Sequence, residues 1–370
     1  MMKALVFQNA GNFALKSIPK PQLLTATDAI VKIISTTICG TDLHILKGDV
    51  PESIPCNGKC NPRNILGAQG LVLGHEGIAV IESVGSQVSD VKVGDKVIIS
   101  CITSCGNCYY CSKNLQSHCM NGGGWILGHE IDGTQAEYVR IPFADHSLYK
   151  VPAGVSNDKA LLMLSDVLPT GNEVGSINGN IKPGDVVAII GSGPVGIAVL
   201  VTCRKFKPKA VIMIDLDDQR LKVAQEKFRA DYTLNSKDPA EMEKNLTKLC
   251  SELTNGISKG VDVAVECVGA PATFEICENM INPGGRIANV GVHGSWVKLA
   301  LEKLWIRNIQ ITTGLVNAYT TDKLLAEVVN GHLNPKELVT HEFKLEDIEK
   351  AYNLFANASK NKVIKTFITA

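Results

Sequence analysis

Val186-Val187-Ala188-Ile189-Ile190-Gly191-Ser192-Gly193-Pro194-Val195-Gly196 is the stretch on which the fold turns. Its five leading apolar residues suit a strand buried on both faces, as in a parallel sheet covered by helices. From Val195 to Phe206 the chain is apolar nearly all round and reads as a buried helix. The pattern G-x-G-x-x-G between them is weak alone, and the flanking strand and helix give it meaning. Gly191, Gly193 and Gly196 let backbone N–H groups approach a pyrophosphate at the helix N-terminus, which Pro194 and Val195 open. Asp215 completes the pattern, nineteen residues beyond Gly196 and at the end of the next apolar run, Ala210 to Ile214. An acid there accepts from both ribose hydroxyls of a dinucleotide and repels a 2′-phosphate, so NAD is expected in preference to NADP. The nearest arginine, Arg220, stands five residues farther on.

The alternation continues downstream. Val261 to Gly269 reads as a strand ending in a glycine turn, Pro271 to Ile281 as a helix, and Arg286 to Val292 as a strand. In doubly wound parallel sheets, ligands bind at the carboxyl ends of strands. Val268, Gly269, Val290 and Val292 are therefore expected on the nicotinamide side. Beyond Thr313 the sequence reads as helix (322–329), strand (339–343), helix (345–355) and strand (363–368).

Upstream the character differs. Ala29 to Ile34, Ile78 to Ile81 and Lys96 to Ile99 are short strand-like runs punctuated by Gly, Pro, Asn and Asp, the pattern of an all-β unit. Within it, Cys39-Gly40-Thr41-Asp42-Leu43-His44 and Gly74-His75-Glu76 offer thiol, imidazole and carboxylate, the three ligand types zinc accepts. Thr41 and His44 are not needed as ligands, and a hydroxyl and a titratable ring beside a metal suit the removal of a proton. Thr41 is expected to cap a short helical turn through Leu46. Leu73-Gly74-His75-Glu76 recurs as Leu127-Gly128-His129-Glu130. Either copy could donate a ligand, and His75 is preferred because strand-like runs flank it on both sides. Asp166, in an apolar setting, reads locally as a helix cap or buried pair, with a metal ligand as the alternative.

Cys105, Cys108, Cys111 and Cys119 follow C-x2-C-x2-C-x7-C, four thiolates on one tight loop, which is what a closed structural zinc site requires. Cys101 is left over beside them. Residues 51–70 read as a surface insertion, and Cys56 and Cys60 within it as two ordinary thiols.

Length and composition bound the rest. At 370 residues the chain is long for one core, and two domains are expected. Lys+Arg and Asp+Glu both number 37, a balance that argues against nucleic acid or an anionic membrane as partner. The apolar runs, Ile197 to Val201 among them, are too short to span a bilayer. Met1 to Phe7 runs into a strand-like segment without a cleavage-site pattern. A cytoplasmic location is expected, and 12 cysteines there point to metal binding ahead of disulfides.

Together these motifs, with Leu164-Ser165-Asp166-x-Leu168-Pro169-Thr170-Gly171, resemble the zinc-dependent alcohol dehydrogenases of the medium-chain dehydrogenase/reductase superfamily over essentially the whole chain apart from 51–70. The resemblance implies an α/β protein: a GroES-like, β-rich catalytic domain plus a Rossmann doubly wound parallel-sheet nucleotide-binding domain. The expected bounds are 1–167 for the former, with a zinc lobe at 101–120, 168–312 for the latter, and a return segment, 313–370, completing the catalytic domain. It implies that Cys39, His75 and Asp166 hold a catalytic zinc, that Glu76 lies beside it as an exchangeable ligand, and that Cys105, Cys108, Cys111 and Cys119 hold a structural one. Two zinc ions per subunit, NAD, a small alcohol, aldehyde or ketone as substrate, and a homodimer or homotetramer follow. Polyol and formaldehyde dehydrogenases on the same scaffold, and a non-catalytic redox sensor using Cys56 and Cys60, are the rival readings. The usual glycine after Gly-His-Glu is Ala79 here, a small departure.

Overall fold

The computed structural model describes residues 1–49, 64–66 and 70–370, so Cys56 and Cys60 lie outside the described residues. The chain forms two compact units, Met1–Asp166 with Asn317–Ala370, and Val167–Val316.

The first unit is built on two sheets that are antiparallel apart from one parallel pair, Val339–Lys344 with Lys365–Thr369. Seven strands form the larger: Val339–Lys344, Lys365–Thr369, Ala29–Thr36, Gly77–Val84, Lys96–Ile99 and Leu148–Lys150 in spatial order, with Tyr138–Ile141 also paired to Ala29–Thr36. A smaller sheet orders Asn12–Ile18, Met2–Asn9 and Leu71–Val72. Val31, Ile33, Ala79, Ile81, Val97 and Ile99 alternate inward along three neighbouring strands and fill one core. Register has a chemical consequence here. Thr36 pairs with Gly77, and Gly77 with Ile99, so the residues just after Thr36 and just before Gly77 meet at one end of the sheet.

The second unit is a six-stranded, wholly parallel sheet. Its order is Tyr232–Asn235, Ala210–Asp215, Val186–Ile190, Val261–Glu266, Ile281–Asn289, Gln310–Thr313, which reverses direction beside Val186–Ile190. That is the doubly wound arrangement predicted by the apolar run and glycine turn. Val186–Ile190 is buried along its whole length, and so is the next strand as far as Ile214.

Three elements differ from the sequence reading. Val261–Glu266 ends three residues before Gly269, and Ile281–Asn289 starts and stops early, leaving Val290 and Val292 in the following turn. The short helix is Gly40–Lys47 with Cys39 at its N-cap. Thr41 is therefore inside it, and the Asp42 carboxylate takes the capping role by accepting from the Cys39 N–H at 2.9 Å. Among the described residues no helix is long and apolar enough to cross a membrane.

Candidate metal centre and active site

Cys39 leaves the strand Ala29–Thr36 and His75-Glu76 enters the strand Gly77–Val84, at the meeting point set by the register. Asp166 is brought there by its neighbour. Ser165 Oγ accepts from the Gly77 N–H at 3.0 Å and donates to the Ile99 carbonyl, while the Cys101 N–H donates to the Ser165 carbonyl at 3.0 Å. The result is four ligand atoms, from Cys39, His75, Glu76 and Asp166, all within 4.8 Å of one another. Asp166 Oδ2 lies 3.4 Å from His75 Nε2 and 3.8 Å from Cys39 Sγ. His75 and Glu76 are buried, whereas Cys39 and Asp166 are half-buried.

The electrostatics of this cluster ask for a cation. Burial works against a charged His75, yet Asp42, Asp166 and Cys39 outweigh it and hold the ring well above the ordinary imidazole value. Burial raises the Glu76 carboxyl, opposed chiefly by Lys365. Lys365, also buried, reaches Glu76 Oε1 at 2.5 Å. Burial pulls its ammonium down, but Glu76, Cys39 and Asp166 more than reverse that. Glu76 Oε2 remains buried without a hydrogen-bond partner among the described residues. One sulfur, one imidazole nitrogen and carboxylate oxygens, with an excess of negative charge and an unmet acceptor, form a donor set that fits zinc.

Thr41 and His44 lie on the short helix that Cys39 caps. Thr41 Oγ1 is 3.7 Å from Cys39 Sγ. His44, on the same short helix, points its Nδ1 at Asp49 Oδ2, 2.9 Å away, with much of its ring in solvent. The duplicate motif is not part of the cluster: His129 stacks on Trp125 at 4.0 Å and its Nδ1 meets the Trp125 carbonyl at 3.0 Å. Leu127 and Leu168 are fully buried core residues.

The four-cysteine lobe is the second cluster with metal-ligand geometry among the described residues. Cys108 and Cys111 sulfurs are 3.4 Å apart and those of Cys105 and Cys111 3.9 Å apart, with all ten described cysteines free of disulfides. Donors surround the sulfurs: Cys105 N–H to Cys119, Met120 N–H to Cys108, and Asn121 Nδ2 to Cys105. The N–H groups of Cys111 and Met120 draw the Cys108 thiol down to about 6, while burial pushes Cys111 up to about 12. Asn317 Oδ1 accepts from Ser117 N–H and Oγ, anchoring the lobe to the return segment.

In the second unit, the glycine turn is closed tightly at one side and open at another. A Cβ on Gly196 would fall 1.8 Å from the Gly191 carbonyl, so only glycine permits this crossing, and Pro194 starts the helix Pro194–Cys203. A Cβ on Gly193 would meet only Arg220 Nη1, at 3.8 Å. Asp215 Oδ2 accepts from the Ser192 N–H at 2.6 Å and Oδ1 from the Asp217 N–H at 2.9 Å. Arg220, five residues past Asp215, thus also lies beside the turn. Val268 and Val292 are exposed on this edge.

Comparison with known proteins decides the family. Residues 25–153 match the alcohol dehydrogenase GroES-like domain and residues 194–330 the zinc-binding dehydrogenase domain. An alcohol dehydrogenase of Cupriavidus necator is 35% identical across 100% of the chain and 98% of its own length. The chain belongs to the zinc-dependent alcohol dehydrogenases. Among solved structures of this family, zinc-dependent alcohol dehydrogenase 2 of Streptococcus pneumoniae, in its apo form, is 48% identical with a TM-score of 0.89, covering 100% of this chain and 98% of that one. Alcohol dehydrogenase TADH of Thermus sp. ATN1 is 31% identical with a TM-score of 0.84, covering 100% and 99%. The protein is accordingly an oxidoreductase of the medium-chain dehydrogenase/reductase superfamily acting on CH–OH donors.

Motif reading did not reach the residues behind His75. Asp42 Oδ1 is 3.4 Å from His75 Nδ1, and its Oδ2 accepts from Gln135 Nε2 at 3.1 Å. Gln135 Oε1 in turn accepts from the buried Tyr352 hydroxyl at 2.8 Å. A carboxylate on the far nitrogen fixes the tautomer that leaves Nε2 free to bind a metal. The one local signal was Asp42 itself, an acid three residues after Cys39.

Proposed function

We propose that this chain is an NAD(H)-linked zinc alcohol dehydrogenase that interconverts a small primary or secondary alcohol and its aldehyde or ketone. The observation that carries the reading is the convergence of Cys39, His75, Glu76 and Asp166 within 4.8 Å. In this reading Cys39, His75 and Asp166 hold the catalytic zinc, which supplies Lewis acidity sufficient to lower a hydroxyl pKa by several units. Glu76, tethered by Lys365, stands beside it as an exchangeable ligand. Asp42 orients His75, and the cluster's negative charge is set against the metal's positive charge. Thr41, beside Cys39, takes the alcohol proton, and His44, facing solvent, passes it out.

Cys105, Cys108, Cys111 and Cys119 would hold a structural zinc, making two zinc ions per chain. NAD, when bound, would supply the hydride acceptor. The glycine turn receives its pyrophosphate, Asp215 its adenosine ribose, and Val268, Gly269, Val290 and Val292 pack on its nicotinamide side. Asp215→Gly should raise NADPH use relative to NADH several-fold, about 1 kcal/mol of discrimination. An unmoved ratio would remove the ribose contact. The sheet edge at Gln310–Thr313, with exposed Leu301, Trp305 and Ile306 nearby in sequence, supports a homodimer or homotetramer, which light scattering would test.

The experiment for the whole reading is turnover on ethanol, 2-propanol, sorbitol and formaldehyde with both cofactors, on protein of measured zinc content. Highest kcat/KM with NAD on a simple alcohol is expected. Preference for sorbitol or formaldehyde would move the protein to those branches, and no turnover with zinc and NAD bound would refute an enzyme.

A further inference from the structure

Glu266 ends the strand Val261–Glu266, fully buried at the carboxyl edge of the parallel sheet, and it is the point where two turns are tied together. Its Oε1 accepts from Val268 N–H at 2.8 Å, Gly269 N–H at 2.9 Å and Thr273 Oγ1 at 2.7 Å. Its Oε2 accepts from Gly269 N–H at 3.1 Å. The backbone carbonyl of the same residue accepts from Val290 N–H at 2.8 Å and Gly291 N–H at 3.1 Å. Side chain and main chain of one residue therefore hold both 267–270 and 290–293.

The packing leaves no slack. A Cβ on Gly291 would lie 2.3 Å from Glu266 Oε2 and 2.2 Å from the Gly269 nitrogen, and one on Gly269 would lie 2.2 Å from the Val292 carbonyl. His293 closes the far side, its Nε2 3.5 Å from Glu266 Oε2 and 2.8 Å from Asn289 Oδ1. With acceptors on both of these contacts, that nitrogen carries the hydrogen. The exposed Val268 and Val292 side chains project from the two turns so fixed.

We infer that Glu266 is the positioning residue for the cofactor's nicotinamide side, setting the two turns through one buried anion. An anion suits this place because every group pointed at its oxygens is a donor, and a neutral amide would turn two hydrogens into that ring of donors. The inference rests on the nicotinamide reading above and goes beyond it, since Glu266 itself touches no cofactor atom in this scheme.

The test is NADH fluorescence titration of the zinc-loaded wild type, Glu266→Gln and Thr273→Val, with alcohol KM at saturating cofactor and zinc content measured alongside. Glu266→Gln should weaken NADH binding about tenfold, the loss of a hydrogen-bonded charged acceptor. Thr273→Val, which removes one neutral donor and keeps the shape, should weaken it about threefold. Alcohol KM and zinc content should not change. A lowered melting temperature with unchanged NADH affinity would reduce Glu266 to a structural role and overturn the inference. If Glu266→Gln does not fold, Thr273→Val decides alone, and unaltered binding again overturns it. Failure of the wild type to bind either NADH or NADPH would strike the cofactor reading first and this inference with it.

Discussion

In the lobe, four sulfurs between residues 105 and 119 collect on one loop, two of them only part-buried, with backbone N–H groups as their support. At the centre, the ligand atoms come from residues 39, 75, 76 and 166, and their support is a layered set of side chains: Asp42, Gln135 and Tyr352 behind His75, Ser165 beside Asp166, Lys365 on Glu76. Both clusters offer a metal-ligand set, but they are made differently. A local loop has almost no core of its own, so a metal there contributes stability. A cluster assembled by sheet register exists because the core already holds it, so a metal there is free to do chemistry. The prediction from this contrast is that damage to the lobe is read in stability and damage to the centre in rate.

The sharpest way to break that contrast is Asp166→Asn. It should cost about 1,000-fold in kcat/KM, the loss of several kcal/mol of charge stabilisation, with NADH affinity unchanged by titration. Cys111→Ser should do the opposite, lowering Tm by roughly 4–8 °C in calorimetry, what about 2 kcal/mol produces in a unit of this size, with near-normal kcat per folded molecule. Asp42→Asn sharpens the account of layered support. It should accelerate zinc loss to a chelator by about 10–100-fold without emptying the lobe. His44→Ala is the mildest: about tenfold slower turnover near neutral pH with an altered pH profile and full zinc content, short of the ~100-fold of a directly placed acid or base.

How much of this was readable in the chain follows from the same contrast. The glycine turn and the cysteine lobe carry their geometry in short spacing, so both were visible without a fold. The central cluster was half visible: Cys39 and His75 suggested ligands, but Asp166 looked locally like a cap, and only family resemblance promoted it. Lys365, Gln135 and Tyr352 were not visible, because their partners lie 289, 93 and 217 residues away and no local pattern encodes such pairing. Thr41 was misread as a helix cap because hydroxyl caps are common, while Asp42, two residues inside the helix, reached back to the Cys39 N–H. The strand ending at Glu266 was read too long since Cys267, Val268 and Gly269 continue an apolar run that the buried carboxylate bends into a turn. Arg220 stands five residues past Asp215, outside the positions that adjoin it, yet the fold brings it to Gly193.

Counting zinc per chain by mass spectrometry in the wild type, Asp166→Asn and Cys111→Ser puts the account at most direct risk. Two ions in the wild type and one in each variant, with alcohol turnover surviving only where Asp166 is intact, is the predicted result. A single ion in the wild type that persists in Asp166→Asn and vanishes in Cys111→Ser would contradict it.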